Sequence, residues 1–213
     1  MKKETKTRFF IGIGLLAAFA LWTSLLSFVD VATIGPRDSK VGFSTVNGWF
    51  HNLTGTNMTL YDITDWLGLV PIFCALGFAV LGLVQWIKRK SFLKVDYSIL
   101  ALGVFYIVVR LVYILFEYVV INYRPVLING YLEASYPSST TMLVLCVMPT
   151  AIMQFNARIK NAALRMGVAT VIGLFIVFMV VGRLVSGVHW ITDIIGGVLI
   201  SAGFVMIYSA VKT

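Results

Sequence analysis

The stretch FFIGIGLLAAFALWTSLLSFV, running from Phe9 to Val29, contains no charged residue. A helix needs roughly 20 apolar residues to cross a hydrocarbon layer about 30 Å thick, and this stretch is long enough. Five further stretches have the same character: about 66–87, 97–121, 138–155, 166–182 and 190–211, with Arg110 and Glu117 as the charges inside the third. The whole chain of 213 residues is 59% hydrophobic and 12% charged, with a mean hydropathy of +0.92. A soluble core does not need that much apolar sequence. The expected fold is all-α, a bundle of six membrane-spanning helices forming a single integral membrane domain over residues 1–213.

The first stretch is longer than the apolar core of a cleaved leader, about 7–15 residues, and no small-x-small cleavage site follows it, so it is read as a retained span. Cys74 and Cys146 fall in different spans and are read as buried small hydrophobes rather than a disulfide.

The formal charge of +8 is informative through its placement. Lys2, Lys3, Lys6 and Arg8 precede the first span, Lys88, Arg89, Lys90 and Lys94 follow the second, Arg158, Lys160 and Arg165 follow the fourth, and Lys212 is near the end of the chain. With six spans these groups share one side, which the positive-inside rule makes cytoplasmic. Basicity here is a topology signal and does not point to nucleic acid. The expected location is a bacterial plasma membrane, with both termini cytoplasmic.

The longest connection, about Asp30 to Asp65, then lies outside. It mixes polar residues with Gly48-Trp49-Phe50, which suits either a short amphipathic piece at the headgroup layer or a plain surface loop. Two other outside segments, Asn122–Ser139 and Arg183–Asp193, hold the unusual polar residues. His189 and Asp193 are four apart where the sixth helix begins, so they share a face. Asp193 can accept a hydrogen bond from one ring nitrogen and leave the other as a nucleophile or base. Arg183 and Arg124 are cations suited to phosphate or carboxylate. Tyr136-Pro137-Ser138-Ser139-Thr140 opens the fourth span, and the free N–H groups of a helix start favour an anion. Taken singly, each element also fits ordinary capping or snorkelling.

The order Arg124-Pro125, Pro137-Ser138-Ser139, then Arg183-x5-His189-x3-Asp193 resembles the type-2 phosphatidic acid phosphatase superfamily. Its motifs are K-x6-R-P, P-S-G-H and S-R-x5-H-x3-D. The resemblance covers about Glu117 to Asp193. It implies a membrane lipid phosphatase or phosphotransferase in which His189 forms a phosphohistidine and Asp193 orients it. Arg124, Arg183 and Ser138, with the amides of Ser139 and Thr140, would hold the phosphate. No metal or other cofactor is expected. The partners expected are a phosphorylated lipid and the bilayer, and the sequence names neither the lipid nor the oligomeric state.

Three positions depart from the family pattern: Gly182 replaces a serine, Thr140 replaces the histidine that protonates the leaving group, and Glu117 replaces a phosphate-binding lysine. Arg110, Glu117 and Arg124 are spaced by sevens, which on one continuous helix lines them along nearly one face. Glu117 is therefore expected either to hold Arg124, with Arg110 as a deeper counter-charge, or to donate a proton. His51 is read as a surface histidine, with a replacement acid as its second reading. The alternative function is a lipid-phosphate binding or transport protein that kept the anion site without turnover.

Overall fold

The structure, a computed structural model, describes residues 3–212. Among the described residues eight α-helices follow one another: α1 Lys3–Leu26, α2 Ser44–Thr54, α3 Met58–Leu67, α4 Leu69–Arg89, α5 Tyr97–Tyr118, α6 Ser139–Arg158, α7 Ala162–Val185 and α8 Ile191–Val211. Six spans in these residues are long and apolar enough to cross a membrane, α3 and α4 counting together as Met58–Arg89. Among the described residues there is no strand, only isolated bridges.

The reason for a bundle lies in which side chains find cover. α6 and α8 carry long runs of buried residues, from Thr140 to Gln154 and from Thr192 to Ala210. They form the centre. The outer helices bury few residues and expose large apolar ones such as Phe73, Leu76, Val104, Ile107, Leu174 and Val177. In water that perimeter would be an aggregation surface. In a bilayer it meets chains as apolar as itself. α1 approaches α8 through glycine: a Cβ at Gly12 would lie 2.6 Å from Ile207 Cγ1, and one at Gly203 would lie 2.8 Å from Leu16 Cδ2. Small residues at such a crossing let the backbones come close enough to pack.

The basic end of the bundle is tied by ion pairs. Asp96, just before α5, meets Arg89 at 2.8 Å and Arg158 at 3.5 Å. All the motif segments lie at the opposite end. There the long connection is not a plain loop, because α2 and α3 fold within it. α2 is docked on the start of α8 through Asn47, whose amide donates to the Gly42 carbonyl (2.7 Å) and to Thr192 Oγ1 (3.0 Å). α3 leads into α4 across Gly68. The second span therefore begins with a polar turn-rich helix that the apolar stretch 66–87 alone did not reveal.

α5 stops at Tyr118, three residues short of the expected end. The chain then makes an excursion closed by the Tyr123–Ala134 and Ile128–Tyr131 bridges. Arg124 N donates to the Glu133 carbonyl and Ser135 N to the Asn122 carbonyl. Tyr136 anchors the return. Its ring is 1% exposed, stacks on Phe19, and its hydroxyl lies 2.7 Å from Thr23 Oγ1.

Candidate active site

The excursion after α5, the start of α6 and the α7–α8 turn meet at one point. The α7–α8 turn is fixed by Gly187, whose φ is +67° and where a Cβ would lie 1.8 Å from the Gly55 carbonyl oxygen. Only glycine allows that left-handed backbone at so close an approach. Beside it, Asn57 N donates to the Ser186 carbonyl. The α2–α3 segment is thus seated on the α7–α8 turn.

His189 is 3% exposed. Its Nδ1 lies 3.1 Å from the Ser135 carbonyl oxygen, and its Nε2 lies 3.1 Å from an Arg124 guanidinium nitrogen. A carbonyl only accepts and a guanidinium only donates. The ring must therefore carry its proton on Nδ1 and present a lone pair at Nε2. Burial first, then the charges of Arg124 and Arg183, hold the His189 pKa well below its ordinary 6.5. It is a neutral imidazole aimed at a cation, the state a nucleophile needs.

Asp193 does something different from the expected orienting bond. Its Oδ2 is 3.8 Å from His189 Nδ1, beyond hydrogen-bond reach. That oxygen instead accepts from Trp190 N at 2.9 Å, and Oδ1 accepts from Asn122 Nδ2 at 3.3 Å. Asp193 sits in the first turn of α8, so its carboxylate closes back on its own helix start, and the carbonyl of Ser135 takes the ring proton. Asp193 braces the start of α8 and ties it to Asn122.

Arg183 is 1% exposed. Its guanidinium donates to the Tyr61 carbonyl (3.4 Å), Thr64 Oγ1 (3.3 Å) and Asp65 Oδ1 (3.3 Å). The Tyr61 ring lies under it at 4.7 Å, and the Arg124 guanidinium is 5.7 Å from the same ring. One aromatic ring thus lies close to both cations. Arg124 has Glu133 Oε2 at 3.1 Å from its Nε, yet that N–H is not aligned into a hydrogen bond. The Trp190 indole donates to the Tyr123 carbonyl at 2.8 Å, which fixes the backbone beside Arg124.

Ser138 is the cap residue of α6, and its amide donates to the Asp193 carbonyl. Ser138 Oγ, Arg124 Nε and Arg183 Nε are buried without a hydrogen-bond partner. Buried polar groups are nearly always satisfied, and three orphan donors around a helix start are what an anion site contains. Ser139 and Thr140 form the first residues of α6, where free N–H groups face outward. Among the described residues no His, Cys, Asp and Glu cluster could hold a metal.

His189, Asp193, Arg124, Arg183, Ser138, Ser139 and Thr140 therefore converge, but Glu117 and Arg110 do not join them as expected. The helix ends before Arg124, so the sevenfold spacing fails to put Arg124 on the face of Glu117. The carboxylate beside Arg124 is Glu133. Glu117 and Arg110 are exposed on the flank of α5, with the Arg110 guanidinium 4.6 Å from the Tyr113 ring. Glu117 lines a cavity with Tyr113, Ser135, Pro137 and Ser139. His51 is half-buried and packs on Trp190, ring centroids 5.6 Å apart, its pKa lowered by burial. The residues missed in the sequence are Tyr61, Asp65, Asn122, Glu133 and the Ser135 carbonyl. Tyr61 and Asp65 carry an i, i+4 signal on a short helix, whereas a backbone carbonyl carries none.

No curated protein sequence matches the chain significantly. Among solved structures, a transmembrane PAP2-type phosphatidylglycerolphosphate phosphatase from Bacillus subtilis is similar, with a TM-score of 0.64 at 17% identity over 93% of each chain. At that identity the likeness is one of fold. The family model of the PAP2 superfamily matches residues 70–213, a segment that includes all three motif regions. With the model matching well over half its length, this chain belongs to the PAP2 superfamily.

Proposed function

We propose that the protein is a membrane lipid phosphatase that works through a phosphohistidine on His189, with its site open to the outer leaflet. The observation that carries this reading is the neutral His189 ring, its Nδ1 bonded to the Ser135 carbonyl and its Nε2 facing Arg124 at 3.1 Å. A phosphate drawn between Arg124 and Arg183 would replace the guanidinium in front of that lone pair. Attack would form the Nε2–P bond and expel the lipid portion. The negative charge growing on the equatorial oxygens would be met by both guanidiniums, Ser138 Oγ and the first amides of α6. His189 forms the bond and Arg124 and Arg183 hold the anion, with Asp193 offsetting the charge that the ring acquires. No step calls on a metal.

The residue at position 140 selects the substrate. A threonine hydroxyl is a poor acid near neutral pH. An alkoxide leaving group has a conjugate acid near the pKa of water, about 16, and departs slowly without a proton. A diphosphate expels a phosphate monoester whose second pKa is about 6, so it departs unprotonated. The preferred substrates are therefore lipid diphosphates such as polyprenyl diphosphates. The fold neighbour, by its name, acts on phosphatidylglycerolphosphate, which makes that monoester the natural competitor. Measuring kcat/KM for a prenyl diphosphate and for phosphatidylglycerolphosphate tests the choice. The diphosphate should win, and Thr140→His should raise the monoester rate. A monoester preference that Thr140→His leaves unaltered would overturn the leaving-group assignment.

A further inference from the structure

An acidic residue beside a phosphate-binding arginine repels the substrate, so its presence calls for a reason. Asp65 is such a residue. Its Oδ1 is 3.3 Å from Arg183, and its side chain is 57% exposed while Arg183 is 1% exposed. One turn of α3 presents Tyr61, Thr64 and Asp65 to this guanidinium together. α3 lies before residue 70, where the family match begins. The same turn ends beside α6: a Cβ at Gly68 would be 2.8 Å from the Asp65 carbonyl oxygen and 3.6 Å from Thr140 Cγ2.

Resting on the phosphohistidine reading above, we propose that Asp65 is the general base of the second half-reaction, activating the water that hydrolyses the phosphohistidine. Water must reach phosphorus in line, opposite Nε2. Arg124 touches Nε2 itself, and its carboxylate partner is Glu133. Arg183 makes its hydrogen bonds to Tyr61, Thr64 and Asp65 instead, so Asp65 is the carboxylate at the guanidinium that does not contact Nε2. Its exposure keeps it in contact with water. The hydroxyls of Ser138, Ser139 and Thr140 cannot accept a proton at neutral pH to the same effect. In the step, the water oxygen bonds to phosphorus while its proton passes to the Asp65 carboxylate. The P–Nε2 bond breaks with its electron pair returning to Nε2. Inorganic phosphate leaves, and Asp65 releases its proton to bulk water.

The test is rapid-quench kinetics of the purified full chain with a prenyl diphosphate labelled at the terminal phosphorus. In Asp65→Asn, labelling of His189 should proceed within about threefold of the parent rate, whereas hydrolysis of the labelled enzyme should slow by about 10²–10⁴-fold, the usual contribution of a general base. Labelled protein then accumulates to one phosphoryl per chain. Asp65→Glu should recover part of the hydrolysis. Fluoride, a nucleophile with no proton to lose, should discharge the Asp65→Asn phosphoenzyme but barely change the parent. Inorganic phosphate binding by Asp65→Asn reports that the variant is folded. If Asp65 only steadies Arg183, labelling slows and KM rises with no accumulation of phosphoenzyme, and the proposal is overturned. An unchanged Asp65→Asn turnover overturns it as well while leaving the phosphatase reading intact. A parent that neither labels His189 nor releases phosphate removes both.

Discussion

Replacing Asp193 by asparagine separates two ways in which a carboxylate assists a histidine. In a serine-protease triad the corresponding change costs about 10⁴ in kcat, because the ring adopts the wrong tautomer. Here the ring proton is held by the Ser135 carbonyl at 3.1 Å, and Asp193 stands off at 3.8 Å. The tautomer should survive Asp193→Asn. What is lost is the attraction between the carboxylate and the positive charge that the ring acquires as the Nε2–P bond forms. Two unit charges at about 4 Å attract by about 4 kcal/mol at an effective dielectric constant near 20. With roughly half that charge developed in the transition state, about 2 kcal/mol is lost, or about 30-fold in rate. Stability also falls, because Trp190 N or Asn122 Nδ2 loses its acceptor, at a cost of about 1–3 kcal/mol. Single-turnover phosphate release gives the rate, and nitrogen NMR of His189 gives the tautomer. A loss near 10⁴ with the proton moved to Nε2 would refute the role given to Ser135.

Further outcomes follow from the same geometry. Because burial and two arginines hold the His189 pKa below 6.5, the neutral nucleophile persists to lower pH, and the acid limb of kcat/KM should fall below 6.5. Arg124→Gln should slow the reaction and move that limb upward, while a limb that stays put would show that Arg124 does not face the ring. The same depressed pKa means that the unfolded chain takes the proton first. The stability gained by keeping the ring neutral is full above pH 6.5 and is lost as pH falls below it, as thermal melts against pH will record. Gly187→Ala should cost about 1–3 kcal/mol from its left-handed backbone alone, with the Gly55 clash added, and should lower both melting temperature and phosphate release. Cysteine at Tyr131, which is 73% exposed at the site end, should react with an impermeant maleimide from outside intact cells once Cys74 and Cys146 are replaced. Reaction only after permeabilisation would invert the topology.

The sequence made the spans legible because charge is expensive in hydrocarbon, so each span announces itself by what it lacks. The convergence of Arg124, Ser138, Arg183 and His189 was legible through the motif order. Three things were not. The spacing of Arg110, Glu117 and Arg124 presumed a helix continuing through residues 119–124, whereas α5 ends at Tyr118 and the backbone turns back to pair with Ser135. Sequence separation then ceases to measure distance. The contribution of α3 was hidden because Tyr61, Thr64 and Asp65 meet Arg183 more than a hundred positions away in the chain. The i, i+4 spacing of Tyr61 and Asp65 marks a shared helix face but not what that face meets. The partner of the His189 ring proton is a main-chain oxygen, which any residue at position 135 would supply.

A crystal structure of the protein with vanadate tests the central claim most directly, since five-coordinate vanadium mimics phosphorus in flight. The expected result is vanadium bonded to His189 Nε2, with Nδ1 still on the Ser135 carbonyl and the equatorial oxygens on Arg124, Arg183 and Ser138. Vanadate held by the arginines with Nε2 left unbonded, or bound at His51, would contradict the assignment of His189 as the nucleophile.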